Sequence, residues 1–156
     1  MTVGLIAVVA GLCLGAWLFR DTVAARGFVA LVGPIGVVLP LLVLRYIGAD
    51  LGLSVQVFGT VELLAFLGAY LVFLAATLGM VPVDMYRWGY APVPVGAMVL
   101  ILCGYGALTG NVFIPLVAVT GQALWVTGWG SSNWFDHVLH VLLVPITIIV
   151  LALRMF

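Results

Sequence analysis

Charged residues are what this sequence has least of. They make up 6% of the 156 residues, as five basic and five acidic side chains, whereas a globular chain carries roughly 25%. A soluble fold needs a polar face on nearly every element, and so few charged side chains cannot supply those faces. The formal net charge of zero also gives no indication of a nucleic-acid partner. The charge content therefore argues against a soluble domain and against binding of nucleic acid.

Cysteines and familiar catalytic signatures are also scarce. Cys13 and Cys103 each lie within an apolar run with no second cysteine nearby, which disfavours a disulfide framework and a cysteine-based zinc site. The phosphate-binding G-x-x-x-x-G-K-[ST] loop, the zinc-binding H-E-x-x-H motif and the G-x-S-x-G nucleophile elbow are absent. No basic segment precedes the first apolar run, so we expect a retained span there rather than a signal peptide. These absences favour a protein that is not an enzyme.

Long apolar stretches are what the sequence has in abundance. Hydrophobic residues make up 66% of the chain, and they recur in stretches of about 20, the length that crosses a hydrocarbon core. In lipid the backbone must satisfy its own hydrogen bonds, so a spanning segment is a helix or part of a closed barrel. Runs such as residues 61–67 lack the alternation of barrel strands. We therefore predict an all-α, polytopic helical membrane protein, with one integral membrane domain over residues 1–156 and no soluble domain.

The apolar runs predict about five transmembrane helices, and six are feasible. The predicted spans cover residues 2–19, 28–47, 57–80, 95–127 and 134–153. The fourth is too long for a simple span, because its 33 residues (95 to 127) would reach roughly 50 Å against a core of about 30 Å. We favour a single bent helix that extends past the membrane. The alternative is a pair of shorter segments that turn at Gly110-Asn111.

Prolines inside these predicted spans are expected to distort them, because each proline removes a backbone donor. Pro34 and Pro40 should kink or break the second span. Pro145 should interrupt the last span.

The positions of the arginines favour five spans over six. Five spans place most arginines on one side of the membrane, including Arg87 and the tail with Arg154, as the positive-inside rule requires. Six spans would move Arg154 to the other side. We therefore expect the amino terminus outside and the carboxyl terminus in the cytoplasm of a cell (inner) membrane.

The densest cluster of groups able to bind a metal or move a proton lies near the start of the last predicted span. His137 and His140 are three residues apart, so on a continuous helix they would be neighbours on one face, with Asp136 at its edge. Neutral imidazoles are good ligands for zinc, copper or iron. Alternatively, one histidine could ligate a haem whose other ligand comes from a second chain. Two metal ligands on one helix need a third, which Glu62, Asp50 or a partner subunit could supply.

The same residues have a simpler, structural interpretation. Asn133 is a good N-cap, and Asp136 falls in the first helical turn, where a carboxylate favours the positive end of the helix. The histidines would then be interfacial polar residues. Glu62 is a functional candidate as an acid within a span, although it could also reach the interface or hydrogen-bond a neighbouring helix. The predicted topology puts Glu62 on the same outer side as the histidines, which makes a shared site feasible.

Three functions from different classes fit these features. The one we favour is a small integral membrane subunit that packs in a larger membrane complex or with itself, and that shapes a quinone, pigment, haem or lipid pocket near the outer interface. The second is an intramembrane zinc hydrolase that acts on lipid through His137, His140 and an acid. The third is a proton-linked carrier or channel that uses Glu62 and the region around Gly110-Asn111. The expected partners are the lipid bilayer and other membrane chains, and the cofactors that would fit are haem, quinone or zinc.

Overall fold

The computed structural model of the chain describes Thr22 and residues 36–155. The predicted span 2–19, the start of the predicted span 28–47 and Pro34 lie outside the described residues. Within residues 36–155 all regular structure is helical and no strand occurs, so the all-α prediction is confirmed for this part of the chain.

Six α-helices and one 3-10 helix follow each other along the described chain. They are α1 (Val38–Asp50), α2 (Thr60–Thr77), the 3-10 helix (Tyr86–Tyr90), α3 (Pro92–Thr109), α4 (Phe113–Val126), α5 (Trp134–Val138) and α6 (Leu143–Leu153). Among the described residues, α2 and α3 are long and apolar enough to cross a membrane, with 18 residues each. α4 and α6 are apolar but shorter. The helices pack as neighbours along the chain, α3 against α4 and α4 against α5, and α6 returns to lie along α2.

Prolines mark where four of these helices begin. The third residue of α1, α3, α4 and α6 is a proline in each case: Pro40, Pro94, Pro115 and Pro145. The backbone N–H groups of the first turn have no acceptor within the helix, so a proline there loses nothing. Pro40 therefore does not kink α1, which begins at Val38 after a turn at residues 36–37. The predicted last span is interrupted, at residues 139–142, and Pro145 lies in the first turn of the helix that follows this break.

Residues 95–127 form two helices, and the single long helix that we favoured is wrong. α3 ends at Gly110, whose φ of +73° is a conformation that glycine adopts without strain. The Asn111 Oδ1 atom then accepts hydrogen bonds from the N–H groups of Phe113 (3.1 Å) and Ile114 (3.4 Å) at the start of α4. Gly106 allows α4 to lie close against α3, since a Cβ atom there would stand 2.2 Å from Pro115 Cγ. The turn at Gly110-Asn111 thus makes a tight helical hairpin.

One end of the helical bundle, which we call the Glu62 end, joins the start of α2 to the ends of α3 and α6. The Gln56 side chain, just before α2, donates to the Thr109 carbonyl at the end of α3 (3.0 Å). The Arg154 guanidinium donates to the Thr60 hydroxyl at 3.3 Å. The carboxyl-terminal end of α6 therefore lies beside the beginning of α2.

The opposite end, which we call the Tyr86 end, joins the 3-10 helix to α5 and to the start of α1. The Asn133 amide donates to the Tyr86 carbonyl (2.9 Å), and the Val37 N–H donates to the His137 carbonyl (2.6 Å). The segment before α5 therefore lies at the same end as the loop between α2 and α3.

This arrangement separates two arginines that we expected on one side. Arg87 belongs to the 3-10 helix at the Tyr86 end, whereas Arg154 reaches Thr60 at the Glu62 end. The reason is the hairpin of α3 and α4, because an added reversal moves every later segment to the opposite end. The positions of the arginines therefore do not support five spans.

The best-buried side chains lie around α5. Trp134, Phe135 and Val138 of α5 are buried, together with Val95 at the start of α3 and Ala118 of α4. α5 can approach α4 closely because residue 121 is glycine: a Cβ atom there would stand 2.3 Å from the Val138 Cγ1 atom. Much of the buried core thus lies at the Tyr86 end, where the histidines also lie.

Candidate functional site

Asn133 fixes the start of α5 against the 3-10 helix. Its Oδ1 atom accepts from the Phe135 N–H at 2.9 Å, which confirms the predicted N-cap. The side chain is fully buried, and its amide donates to the Tyr86 carbonyl at 2.9 Å. Gly89 makes room for this contact, since a Cβ atom there would stand 1.9 Å from the Asn133 Oδ1 atom. The Asn133 side chain therefore connects the start of α5 to the 3-10 helix.

Asp136 is the polar centre of this end of the molecule. The Tyr86 hydroxyl donates to its carboxylate, with distances of 2.8 Å to Oδ1 and 2.9 Å to Oδ2. The Ser131 hydroxyl donates to Oδ2 at 2.5 Å and accepts from the Asn133 N–H at 3.0 Å. Burial of Tyr86 and its hydrogen bond to Asp136 raise the pKa of Tyr86 well above the ordinary tyrosine value. The tyrosine is therefore held protonated, as a donor to the carboxylate.

His137 is buried, and its hydrogen bonds are structural. Its Nε2 atom lies 2.9 Å from the Ser131 carbonyl oxygen, which only accepts, so Nε2 carries the proton and donates. Its own carbonyl accepts from the Val37 N–H at 2.6 Å. Gly36, with φ of +66°, brings the chain close enough, since a Cβ atom there would stand 2.8 Å from the same carbonyl oxygen. His137 therefore helps to join α1 to α5.

His140 does not lie on the same helical face as His137, and that prediction is wrong. α5 ends at Val138, and Leu139 is extended (φ −119°, ψ 149°). In a continuous helix the His137 carbonyl would accept from the N–H four residues later. The His137 carbonyl accepts from the Val37 N–H instead, so the helix does not continue through His140. The helical face that was expected to hold the two imidazoles side by side is therefore absent.

The His140 ring has a defined tautomer of its own. Its Nδ1 atom accepts from the Leu142 N–H at 3.2 Å, so in the neutral ring the proton lies on Nε2. The side chain is half-buried and lines a groove beside α2. His140 therefore lines the groove with a ring whose neutral form carries its N–H on Nε2.

Glu62 lies at the other end of α2, away from both histidines. Its Oε2 atom accepts from the Gly59 N–H at 2.6 Å, and its Oε1 atom accepts from the Tyr105 hydroxyl. The structure therefore does not bring Glu62 to the histidines as a third ligand. Across the described part of the chain, no three histidine, cysteine or acidic side chains cluster in a way that could hold a metal ion.

An open groove of about 690 Å³ runs along the end of α2 at the Tyr86 end. Its apolar wall comes from Tyr70, Phe73, Leu74, Phe135, Leu139 and Val141, and its polar groups from Thr77, Tyr86, Ser131, Asp136 and His140. The structure thus brings two of the predicted site residues, Asp136 and His140, to one groove. His137 does not line the groove, and its hydrogen bonds are those to the Ser131 carbonyl and from the Val37 N–H.

The sequence reasoning missed the α2 and Tyr86 contributions to this groove. Tyr70, Phe73, Leu74 and Thr77 have the spacing of one helical face (i, i+3, i+4, i+7), and that spacing could have shown them as a unit. Tyr86 is 50 residues from Asp136, and no sequence pattern connects them. The groove therefore depends on a long-range contact between two loops.

Comparison with known proteins does not assign the chain to a family. No protein-family model matches the chain, and neither a curated protein nor a solved structure matches it at a significant level. What the groove can bind is therefore inferred from its own residues. It combines an aromatic wall with one carboxylate acceptor and one imidazole donor.

Proposed function

We propose that the chain is a non-catalytic integral membrane subunit, which crosses the bilayer with α2 and α3 and packs against other membrane chains. The observation that supports this most is the bare apolar surface of the two helices. In the most apolar 18-residue window of each, only 11% is buried within the chain. Soluble monomers rarely expose continuous apolar patches larger than a few hundred Å². A surface of this kind is stable where lipid or another apolar helix covers it.

The lengths of the helices support the same proposal. At about 1.5 Å per residue, α2 and α3 each reach roughly 27 Å, close to a hydrocarbon core of about 30 Å. α4, with 14 residues, and α6, with 11, are too short to cross alone. Irregular backbone at membrane depth, such as residues 139–142 between α5 and α6, is tolerated only where protein or a cavity covers it. Partner helices would provide that cover.

The distribution of arginines supports an orientation. Arg45 lies over the Phe58 ring (4.3 Å to its centroid), next to the start of α2, and Arg154 lies beside Thr60. The Glu62 end thus carries two arginines, and the Tyr86 end carries Arg87 among the described residues. By the positive-inside rule the Glu62 end and the carboxyl terminus would be cytoplasmic. The groove would then open at the outer interface of a cell membrane, where we expected a pocket.

The two alternative functions have less support. A zinc hydrolase needs a third ligand near His137 and His140, and the described residues do not bring one there. A proton-linked carrier based on Glu62 needs that carboxylate free to exchange protons, whereas Gly59 and Tyr105 both donate to it.

Native purification tests the proposed function. The full chain should stay in the membrane pellet after alkaline carbonate extraction, and in mild detergent it should co-purify with other membrane chains in fixed stoichiometry. Release by carbonate would contradict membrane integration, and a monodisperse particle holding this chain alone would contradict the subunit role.

A matched pair of variants makes the test specific. Leu100 in α3 and Leu78 just after α2 are exposed to a similar degree, 74% and 76%. Leu100→Gln should lower the recovery of partner chains, because it puts an amide on the apolar surface, and Leu78→Gln should leave recovery unchanged. Equal recovery of the partners with both variants would show that the surface around Leu100 is not the interface.

A further inference from the structure

We propose that the groove at the Tyr86 end binds the uncharged ring head of a lipid-soluble quinone or quinol. The inference rests on the proposed function, since α2 would carry the apolar part of the groove into the bilayer. Three properties of the groove favour this ligand class: its aromatic wall, its pair of polar groups and its charge.

The aromatic wall is suited to a flat ring. Tyr70 and Phe73 are stacked on α2, with their ring centroids 6.1 Å apart. The Phe135 ring of α5 lies 4.6 Å from the Phe73 ring at an interplanar angle of 50°, so both helices contribute rings to the wall of the groove. Aromatic side chains favour offset-stacked or edge-to-face contact with another ring. A planar head group therefore gains contacts that a flexible head group does not.

The polar groups of the groove form one donor and one acceptor. The Asp136 carboxylate receives hydrogen bonds from Tyr86 and Ser131, and two carboxylate oxygens offer about four acceptor sites in all. It can therefore accept one more donor, such as a quinol hydroxyl. The His140 Nδ1 atom accepts from the Leu142 N–H, so the Nε2–H remains to donate to a carbonyl oxygen of the ligand. The two groups together match a ring that carries hydroxyl or carbonyl oxygens.

The charge of the groove selects against ionic lipids. Among the described residues, Asp136 is the one acidic side chain that lines it, and none of the arginines in that part of the chain does. A phosphate head group would meet a carboxylate with no cation to offset the repulsion. A cationic ammonium head group could pair with the carboxylate, but it has no acceptor for the His140 Nε2–H. A neutral head group avoids both conflicts.

The position of the groove accounts for the apolar tail. Tyr70, Phe73, Leu74 and Thr77 form one face over the last two turns of α2, from the middle of the helix to its end. A tail lying along this face would point from the boundary into the bilayer. The groove volume of about 690 Å³ falls within the range of roughly 300–1,000 Å³ that is usual for small-molecule sites.

Photolabelling of the full chain in lipid nanodiscs locates the ligand. The probe is an azido-benzoquinone with a ten-carbon tail, and the competitor is the corresponding unlabelled quinone. Labelling should be saturable, and the labelled peptides should come from the second half of α2 and from residues 139–141. Val141→Trp should lower labelling at least tenfold, because Val141 is exposed and lines the groove. Val93→Trp is the matched control, since Val93 is also exposed, begins α3 at the same end and does not line the groove.

Calorimetric titration with the unlabelled quinone tests the role of His140. His140→Leu should weaken binding about tenfold, the effect of one lost hydrogen bond. His140→Gln keeps an N–H donor and should recover most of the affinity. Phosphatidylglycerol, diacylglycerol and a long-chain alkylammonium should compete at least tenfold less well than the quinone.

Several results would overturn the inference. They are non-saturable labelling, equal labelling of the Val141→Trp and Val93→Trp variants, equal affinity of the His140→Leu variant, and displacement of the quinone by the alkylammonium or a lipid at equal concentration. None of these results bears on carbonate extraction or on co-purifying chains. A failure of the quinone-binding proposal can therefore be distinguished from a failure of the proposed membrane-subunit role.

Discussion

At the scale of single residues, Asp136 connects two loops that are far apart in the sequence. Tyr86 comes from the loop between α2 and α3, and Ser131 comes from the loop before α5. Hydrogen bonds to a charged acceptor contribute about 1.5–3 kcal/mol each when they are well shielded from water, and less when they are partly exposed, as here. The carboxylate therefore has a structural role, and it also supplies the acceptor of the groove.

The Tyr86–Asp136 contact predicts an alkaline loss of stability. The pKa of Tyr86 is raised in the folded protein, so below the ordinary tyrosine pKa of about 10 both states are protonated and the contribution is complete. Above about pH 10 the unfolded state loses its proton first, and stability falls as the pH rises towards the folded pKa. Spectroscopic titration of tyrosinate should show Tyr86 ionising later than an ordinary tyrosine.

Tyr86→Phe is the control for that titration. The variant should lose the signal of one late-titrating tyrosine, and its thermal stability should depend less on pH above 10. An unchanged titration curve would contradict the contact between the Tyr86 hydroxyl and Asp136.

Asn133 gives a second prediction at this scale. Asn133→Ala removes the N-cap of α5 and also leaves the Tyr86 carbonyl without its buried donor, so we expect a loss of about 2–3 kcal/mol. Asn133→Ser keeps a cap acceptor but not the amide donor, and it should lose about half as much. Thermal unfolding in detergent, followed by circular dichroism, measures both. Equal stability of the Ala variant and the unmodified chain would contradict this role of Asn133.

At the scale of helices, the close hairpin of α3 and α4 decides which segments meet. Because of this reversal, α5 lies beside the 3-10 helix, and Asp136 can reach Tyr86. A single long helix over residues 95–127 would have carried the histidines to the end where Glu62 lies. The site therefore depends on the turn at Gly110-Asn111 as much as on its own side chains.

Two glycines of α3 test the hairpin. A Cβ atom at Gly106 would stand 2.2 Å from Pro115 Cγ, whereas one at Gly104 would meet nothing within 4 Å. Gly106→Ala should therefore separate α3 from α4 and destabilise the protein by about 1–3 kcal/mol. Gly104→Ala should be neutral or stabilising by about 0.5–1 kcal/mol, since alanine favours the helix. Similar melting temperatures for the two variants would contradict the close contact of the hairpin.

The sequence predicted the elements of this fold better than their connections. Helical structure and the Asn133 cap follow from local patterns, because composition and first-turn chemistry act over a few residues. Local patterns could not distinguish a proline that kinks a helix from one in a first turn, as at Pro40 and Pro145. Nor could local patterns show that the His137 carbonyl accepts from the distant Val37 N–H, so that α5 ends before His140.

At the scale of the whole molecule, the two ends of the bundle have different roles. The Tyr86 end holds the buried aromatic side chains of α5, the Asp136 hydrogen bonds and the groove. The Glu62 end holds Arg45 over the Phe58 and Phe113 rings. Between these ends, the apolar side chains of α2 and α3 are largely uncovered. A subunit that crosses the bilayer between two polar ends, with its groove at the outer one, agrees with each of these features.

Site-directed cysteine labelling tests this arrangement most directly. In a chain with Cys13→Ala and Cys103→Ala, single cysteines are introduced by Asp84→Cys, Ser132→Cys and Gln56→Cys, all at exposed positions. A membrane-impermeant maleimide applied to intact cells should label the first two variants together and should label Gln56→Cys only after permeabilisation. Labelling of Asp84→Cys and Ser132→Cys from opposite sides would contradict the hairpin of α3 and α4 in the membrane. Labelling of all three from one side would show that α2 and α3 do not cross the bilayer.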